Sequence, residues 1–189
     1  MQILGLLAEL YVAAGSPDQG VSMLEATAQG YEGSLGTAHA YTINARYNHV
    51  AELESVGRYE EAIVAALDLC GDVAGDWGKY HGNHVTCLEL LGGLQMTTGQ
   101  LGEAEKTYLK ISDIMGKSLP RVDTGALSNL SQLGEIYRRQ GRYDESQRVL
   151  SGVIQLALQV GNLDAANKAK LITSAGFSTI RGSWRRRLR

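Results

Sequence analysis

Cysteine, proline and aromatic residues are all scarce in this 189-residue chain. Two cysteines exclude a disulfide scaffold and suit a reducing compartment. Aromatics make up 6%, as nine Tyr, two Trp and one Phe. A strong charge of either sign is also missing: the net charge is −2 and the pI about 6.1, so no overall basic field points to nucleic acid. No run of about 18 uncharged apolar residues occurs, which excludes a sequence-evident transmembrane helix. The opening MQILGLLAELYVAAG has no basic residue and carries Glu9 inside its apolar stretch, which argues against a secretory signal. What is present is 44% hydrophobic and 20% charged residues, enough apolar material for a core.

Glycine is the abundant exception, with 23 residues beside two prolines. Its positions explain why. Gly15, Gly57, Gly99 and Gly141 stand 42 residues apart, and each precedes a turn leading into an acidic, helix-starting segment. Gly36, Gly78, Pro120 and Asn162 form a second ladder half a period away. All four are residues that stop or punctuate helices. Two interleaved ladders on one period define a repeat of two helices.

Apolar columns share the period. The first helix of each repeat gives Leu7, His49, Leu91, Leu133, then Leu10, Glu52, Leu94, Ile136, then Tyr11, Leu53, Gln95, Tyr137. The second helix gives Leu24, Ala66, Tyr108, Leu150 and Thr27, Leu69, Ile111, Val153. Steps of three and four residues make an apolar stripe at the α period. The pattern predicts helices over 2–14, 18–33, 38–56, 59–75, 80–98, 101–117, 122–140 and 143–160, with a ninth over 163–175. No segment alternates as a strand does, so the expected fold class is all-α.

Gly57-Arg58-Tyr59-Glu60-Glu61-Ala62 and Gly141-Arg142-Tyr143-Asp144-Glu145-Ser146 resemble the inter-helix signature of tetratricopeptide repeats (TPR), as do Leu133-Gly134 and Tyr137. The 42-residue period is similar to the kinesin light chain type, also found in the TPR arrays of fungal and bacterial NLR-like proteins. Its G-x-x-H-x-x-T entry to the first helix is matched in full by Gly36, His39 and Thr42, and in part by Gly78 and His81. The fourth repeat departs, with Pro120 and Asp123 in those places, and Gly20 replaces the small Ala expected in the first. The resemblance covers about residues 1–162. It implies a right-handed superhelical α-solenoid of antiparallel helix pairs, because stacked repeats share one core. The repeats run 1–36, 37–78, 79–120 and 121–162, with a partial fifth over 163–175 and a basic, disordered tail over 176–189.

In this family the first helices line a concave groove that holds a segment of another protein. The corresponding positions are Glu9 in the first repeat; Asn44, Tyr47, Ala51 and Glu54; Thr86, Glu89, Gly93 and Met96; and Ser128, Ser131, Glu135 and Arg138. Four carboxylates face one guanidinium there. The Lys/Asn/Arg clamp that family members use for a terminal carboxylate is missing. A basic or neutral partner segment fits better than an acidic one; the alternative is an unoccupied, solvated face.

Catalytic signatures fail on inspection. Gly116-Lys117-Ser118 ends a predicted helix, and the first glycine of a phosphate loop would fall on Ile111. His81, His84 and Cys87 drift off one helix face, so no metal is expected. Asn129-Leu130-Ser131 is a sequon inside a predicted helix. The expected function is a non-catalytic, cytoplasmic protein–protein interaction scaffold without a cofactor. The alternative is a sensor fragment of a larger NLR-like signalling ATPase.

Four further expectations follow. The last nine residues hold five arginines, and removing these five from the net charge of −2 leaves −7 on the array. The apolar N-terminal helix has no cap, so either further repeats precede Met1 or the chain self-associates there. Cys70 and Cys87 flank the Gly78 turn at eight and nine residues and are expected to be close, reduced core thiols. Glu25 and Arg46 each break a Leu column and are expected either to pair, with His49 as neighbour, or to leave Arg46 snorkelling.

Overall fold

A computed structural model describes residues 10–11, 14–118 and 124–174. Among these residues there is no strand. The helices are α1 (Pro17–Leu35), α2 (Ala40–Ser55), α3 (Tyr59–Asp76), α4 (Gly82–Thr97), α5 (Leu101–Ser118), α6 (Thr124–Arg139), α7 (Tyr143–Gln159) and α8 (163–174). All lie within three residues of the expected spans. The helix expected over 2–14 falls mostly outside the described residues, as do Pro120, Asp123 and the tail from residue 175. The chain divides into two compact units, Met1–Gly99 with α1–α4 and Gln100–Arg189 with α5–α8.

The first glycine ladder has a backbone cause. Gly15, Gly57, Gly99 and Gly141 have φ of +76, +79, +76 and +79°, a region that side chains with a Cβ resist. At Gly57 the Arg58 N–H reaches back to the Leu53 carbonyl at 2.8 Å, and at Gly141 the Arg142 N–H does the same to Tyr137. That closure ends one helix and frees the chain to start the next within two residues. The incoming Arg then clasps the carboxylate three residues on: Arg58 meets Glu61 at 2.7 and 2.6 Å, and Arg142 meets Glu145 at the same distances. These acidic first turns also suit the positive end of the helix dipole.

The longer turns use another device. Gly36 and Gly78 have φ of +86 and +92°. His39 and His81 then cap α2 and α4, each accepting a backbone N–H two residues on at 3.2 Å. Thr42, fully buried, donates its Oγ1–H to the Gly36 carbonyl at 2.7 Å. The G-x-x-H-x-x-T pattern thus works as a cap plus an internal tie.

Asn162 departs from its ladder. The positive φ belongs to Gly161 (+72°), and the Asn162 N–H closes on Ala157 at 2.7 Å, the geometry of the short turns. Asn162 Oδ1 then caps α8 by accepting the Ala165 N–H at 3.0 Å. The long turn is replaced here by a short one, so the 42-residue period ends at α7.

The apolar columns form the core of each unit. In the first, Leu24, Val50, Leu53, Ala66, Leu69, Leu91 and Leu94 are buried. In the second, Leu127, Leu150, Val153, Ala157, Ala166 and Ala169 make one cluster, so α8 packs on its unit. The small column Gly20, Ala62, Ala104 and Ser146 is buried throughout. Ser146 donates to the Gly134 carbonyl at 2.7 Å, drawing α7 onto α6.

One expected contact is replaced. Arg46 pairs with Asp72 of α3 at 2.5 Å, not with Glu25. The column of Glu25, Leu67, Leu109 and Ser151 points outward, with Leu67 and Leu109 both exposed, and Glu25 only accepts from Gln29. The carboxylate breaking that column lies in water and needs no partner.

Candidate binding face

The open stripe of α2 carries Asn44, Tyr47, Ala51 and Glu54, at helical steps of three and four. Asn44 and Ala51 are exposed; Tyr47 and Glu54 are half-buried. On α4 the matching stripe carries exposed Thr86 and Glu89, with half-buried Gly93 and Met96. Both belong to the first unit.

Tyr47 joins the two stripes. Burial raises the pKa of its phenol, and the negative fields of Cys87, Glu89 and Glu54 push it further the same way. It therefore stays a protonated hydrogen-bond donor with carboxylates of α2 and α4 as electrostatic neighbours. The eight named positions on α2 and α4 hold two carboxylates and no cation.

The second unit differs. Glu135 and Arg138 of α6 form a two-point ion pair at 2.7 and 2.8 Å, which neutralises both. Ser128 is exposed. Ser131 is corrected as a surface position: it is buried, and its hydroxyl donates to the Leu127 carbonyl of its own helix at 2.8 Å. Glu9 lies outside the described residues. His81 is a cap and Cys87 a buried thiol, and no described group of three His, Cys, Asp or Glu converges as metal ligands would.

Residues 130–164 and residues 1–26 each match the tetratricopeptide repeat family. The chain carries tetratricopeptide repeats. Their fold is similar to that of the kinesin light chain TPR-like repeats of Podosopora anserina, with a TM-score of 0.76 at 16% identity over 96% of this chain and 89% of that one. BtubC (BKLC) from P. vanneervenii is similar at a TM-score of 0.71 and 14% identity, over 85% of this chain and 64% of that one. A Rap protein complexed with Competence and Sporulation Factor gives a TM-score of 0.68 and 15% identity, over 95% of this chain and 52% of that one. No curated protein matches the chain in sequence. At these identities the likeness establishes the fold of the TPR chain.

Proposed function

We propose that this TPR chain is a non-catalytic scaffold that holds a basic segment of a partner protein against the first-helix faces of α2 and α4. One observation carries the charge preference: Tyr47 feels both Glu54 and Glu89, on a stripe that contains no cation. A lysine or arginine side chain meets two carboxylates and an aromatic ring there, and an acidic segment meets repulsion. The Rap protein complexed with Competence and Sporulation Factor supports the use of this fold for holding a partner. Buried thiols at Cys70 and Cys87, neither in a disulfide, fit work in the cytoplasm, where thiols stay reduced.

The test is a fluorescence-anisotropy titration of the full chain with basic, neutral and acidic peptides of equal length. Basic peptides are expected to bind, and Glu54→Lys with Glu89→Lys to weaken them roughly tenfold or more, about 1.4 kcal/mol. Equal binding of all three peptides, or indifference to the double change, would overturn the reading.

A further inference from the structure

The second unit shows what this chain does with an arginine near a tyrosine and two glutamates. Arg142 lies over the Tyr137 ring, 4.3 Å from its centroid, and its guanidinium reaches Glu105 at 2.7 Å and Glu145 at 2.6 Å. The ring face and the two charge-assisted contacts hold the cation together. The candidate face of the first unit has the same composition in Tyr47, Glu54 and Glu89. Tyr47 and Glu89 occupy one repeat column, 42 residues apart on the first helices of successive repeats. Glu54 lies about two turns along α2 from Tyr47, on the same stripe. Tyr47 and Glu54 are half-buried and Glu89 is exposed, so a cation can approach from solvent.

The same chain supplies a segment of matching chemistry. Arg181, Arg185, Arg186, Arg187 and Arg189 fall within its last nine residues, and residues 175–189 contain no Asp or Glu. Other arginines are interspersed with acids and paired: Arg46 with Asp72, Arg58 with Glu61 and Arg138 with Glu135. Taking the five arginines from the net charge of −2 leaves −7 on the rest of the chain. One chain therefore carries both halves of a charge-complementary pair.

We propose that the Arg181–Arg189 segment of one copy binds the α2–α4 face of a second copy, its guanidinium groups meeting Tyr47, Glu54 and Glu89. This rests on the basic-partner reading above and names the partner as another molecule of this chain. Face and segment are different surfaces, so the contact is heterologous. A pair of copies still offers one open face and one open segment, and assembly continues head to tail. Salt screens the attraction.

The test is sedimentation velocity of the full, nuclease-treated chain over a roughly hundredfold range of concentration, at about 0.05 M and about 0.5 M salt. Species larger than a dimer are expected at low salt, growing with concentration and falling away at high salt. Glu54→Gln with Glu89→Gln, and separately Arg185→Gln with Arg186→Gln and Arg187→Gln, are each expected to give monomers. An equal mixture of these two variants has one intact segment and one intact face, so it should stop at a 1:1 dimer, which a merely misfolded variant would not form. A labelled peptide of residues 176–189 should bind the unaltered chain and bind the Glu54→Gln, Glu89→Gln variant roughly tenfold more weakly. A chain that stays monomeric at low salt while other basic peptides still bind the face would overturn the proposal and leave the basic-partner reading standing. Failure of every basic peptide to bind would overturn both. Association lost on nuclease treatment would overturn it in favour of nucleic acid. A monomer whose affinity for basic peptides rises when the arginines are changed would overturn it in favour of the molecule's own segment.

Discussion

Arg46 and Asp72 meet at 2.5 Å across the seam between α2 and α3, at the columns where the second unit sets Leu130 and Leu156 against its apolar cluster. The Arg46 side chain is 16% exposed and that of Asp72 43%, so the two partners stand differently toward water. Removing Asp72 strands a largely buried cation, whereas removing Arg46 leaves a carboxylate that water still reaches. Asp72→Leu is therefore expected to destabilise by roughly 1–3 kcal/mol and Arg46→Leu by less. The double change to Leu should cost less than the sum, because it restores the apolar pair. Urea unfolding of the four proteins in a double-mutant cycle measures the coupling; additive costs would refute this account.

Helix placement was legible in the sequence because glycine and histidine act there through the backbone. Gly57 and Gly141 end helices by taking positive φ, and His39 and His81 start them by capping, so the residue alone states the event. Asn162 misled for the same reason: it sits at the ladder position, yet Gly161 beside it carries the turn. Partner choice was less legible. The sequence offers Arg46 a carboxylate on each neighbouring helix, Glu25 and Asp72, and a broken Leu column does not say which column points inward. The outward facing of Leu67 and Leu109 decided the matter, and only packing shows it. At the candidate face, Tyr47, Glu54 and Glu89 follow from helical spacing. The inward turn of Ser131 does not, because a serine that bonds its own helix is equally at home inside or out.

Gly134 is held by contact, not by conformation. A Cβ there would lie 2.5 Å from Leu150 Cδ2 and 2.6 Å from Cγ, and Leu150 is fully buried in the α7 core. The Ser146 hydrogen bond to the Gly134 carbonyl prevents α6 from simply backing away. Gly134→Ala is expected to destabilise by about 1–3 kcal/mol through overpacking. Adding Leu150→Val to that variant should recover part of the loss, since it removes atoms from the contact. Thermal melts of the single and double variants check this; a double variant weaker than the sum of its parts would count against it.

Thr42 ties the start of α2 to the turn before it. Its buried hydroxyl donates to the carbonyl of exposed Gly36, which also accepts the His39 N–H at 3.4 Å, so Thr42→Val keeps the shape but removes one of that carbonyl's two bonds. The expected cost is about 0.5–1.5 kcal/mol. His39→Ala removes the cap on the Tyr41 N–H and should cost about 1 kcal/mol. Hydrogen exchange gives the sharper readout: faster exchange confined to the first turn of α2 for His39→Ala, and a loss spread through the first unit for Thr42→Val. Equal, global effects from both would contradict the division of labour.

His49 occupies a column that Leu91 and Leu133 fill in the later repeats, and there burial lowers the pKa of its imidazole. Glu25 and Glu61 pull the value up and Arg58 pulls it down, but burial is the largest influence. The folded chain therefore takes up this proton at lower pH than the unfolded chain, whose imidazole titrates near 6.5. Between those two values the unfolded state binds more protons, so stability falls as the pH drops below about 6.5 and is retained above it. His49→Leu removes the proton site and completes the apolar column. It is expected to flatten that acid-side decline and to raise Tm by about 2 °C or more. Melting curves of both proteins between about pH 7.5 and pH 5.5 measure the two slopes, and parallel slopes would show that His49 contributes nothing to the pH dependence.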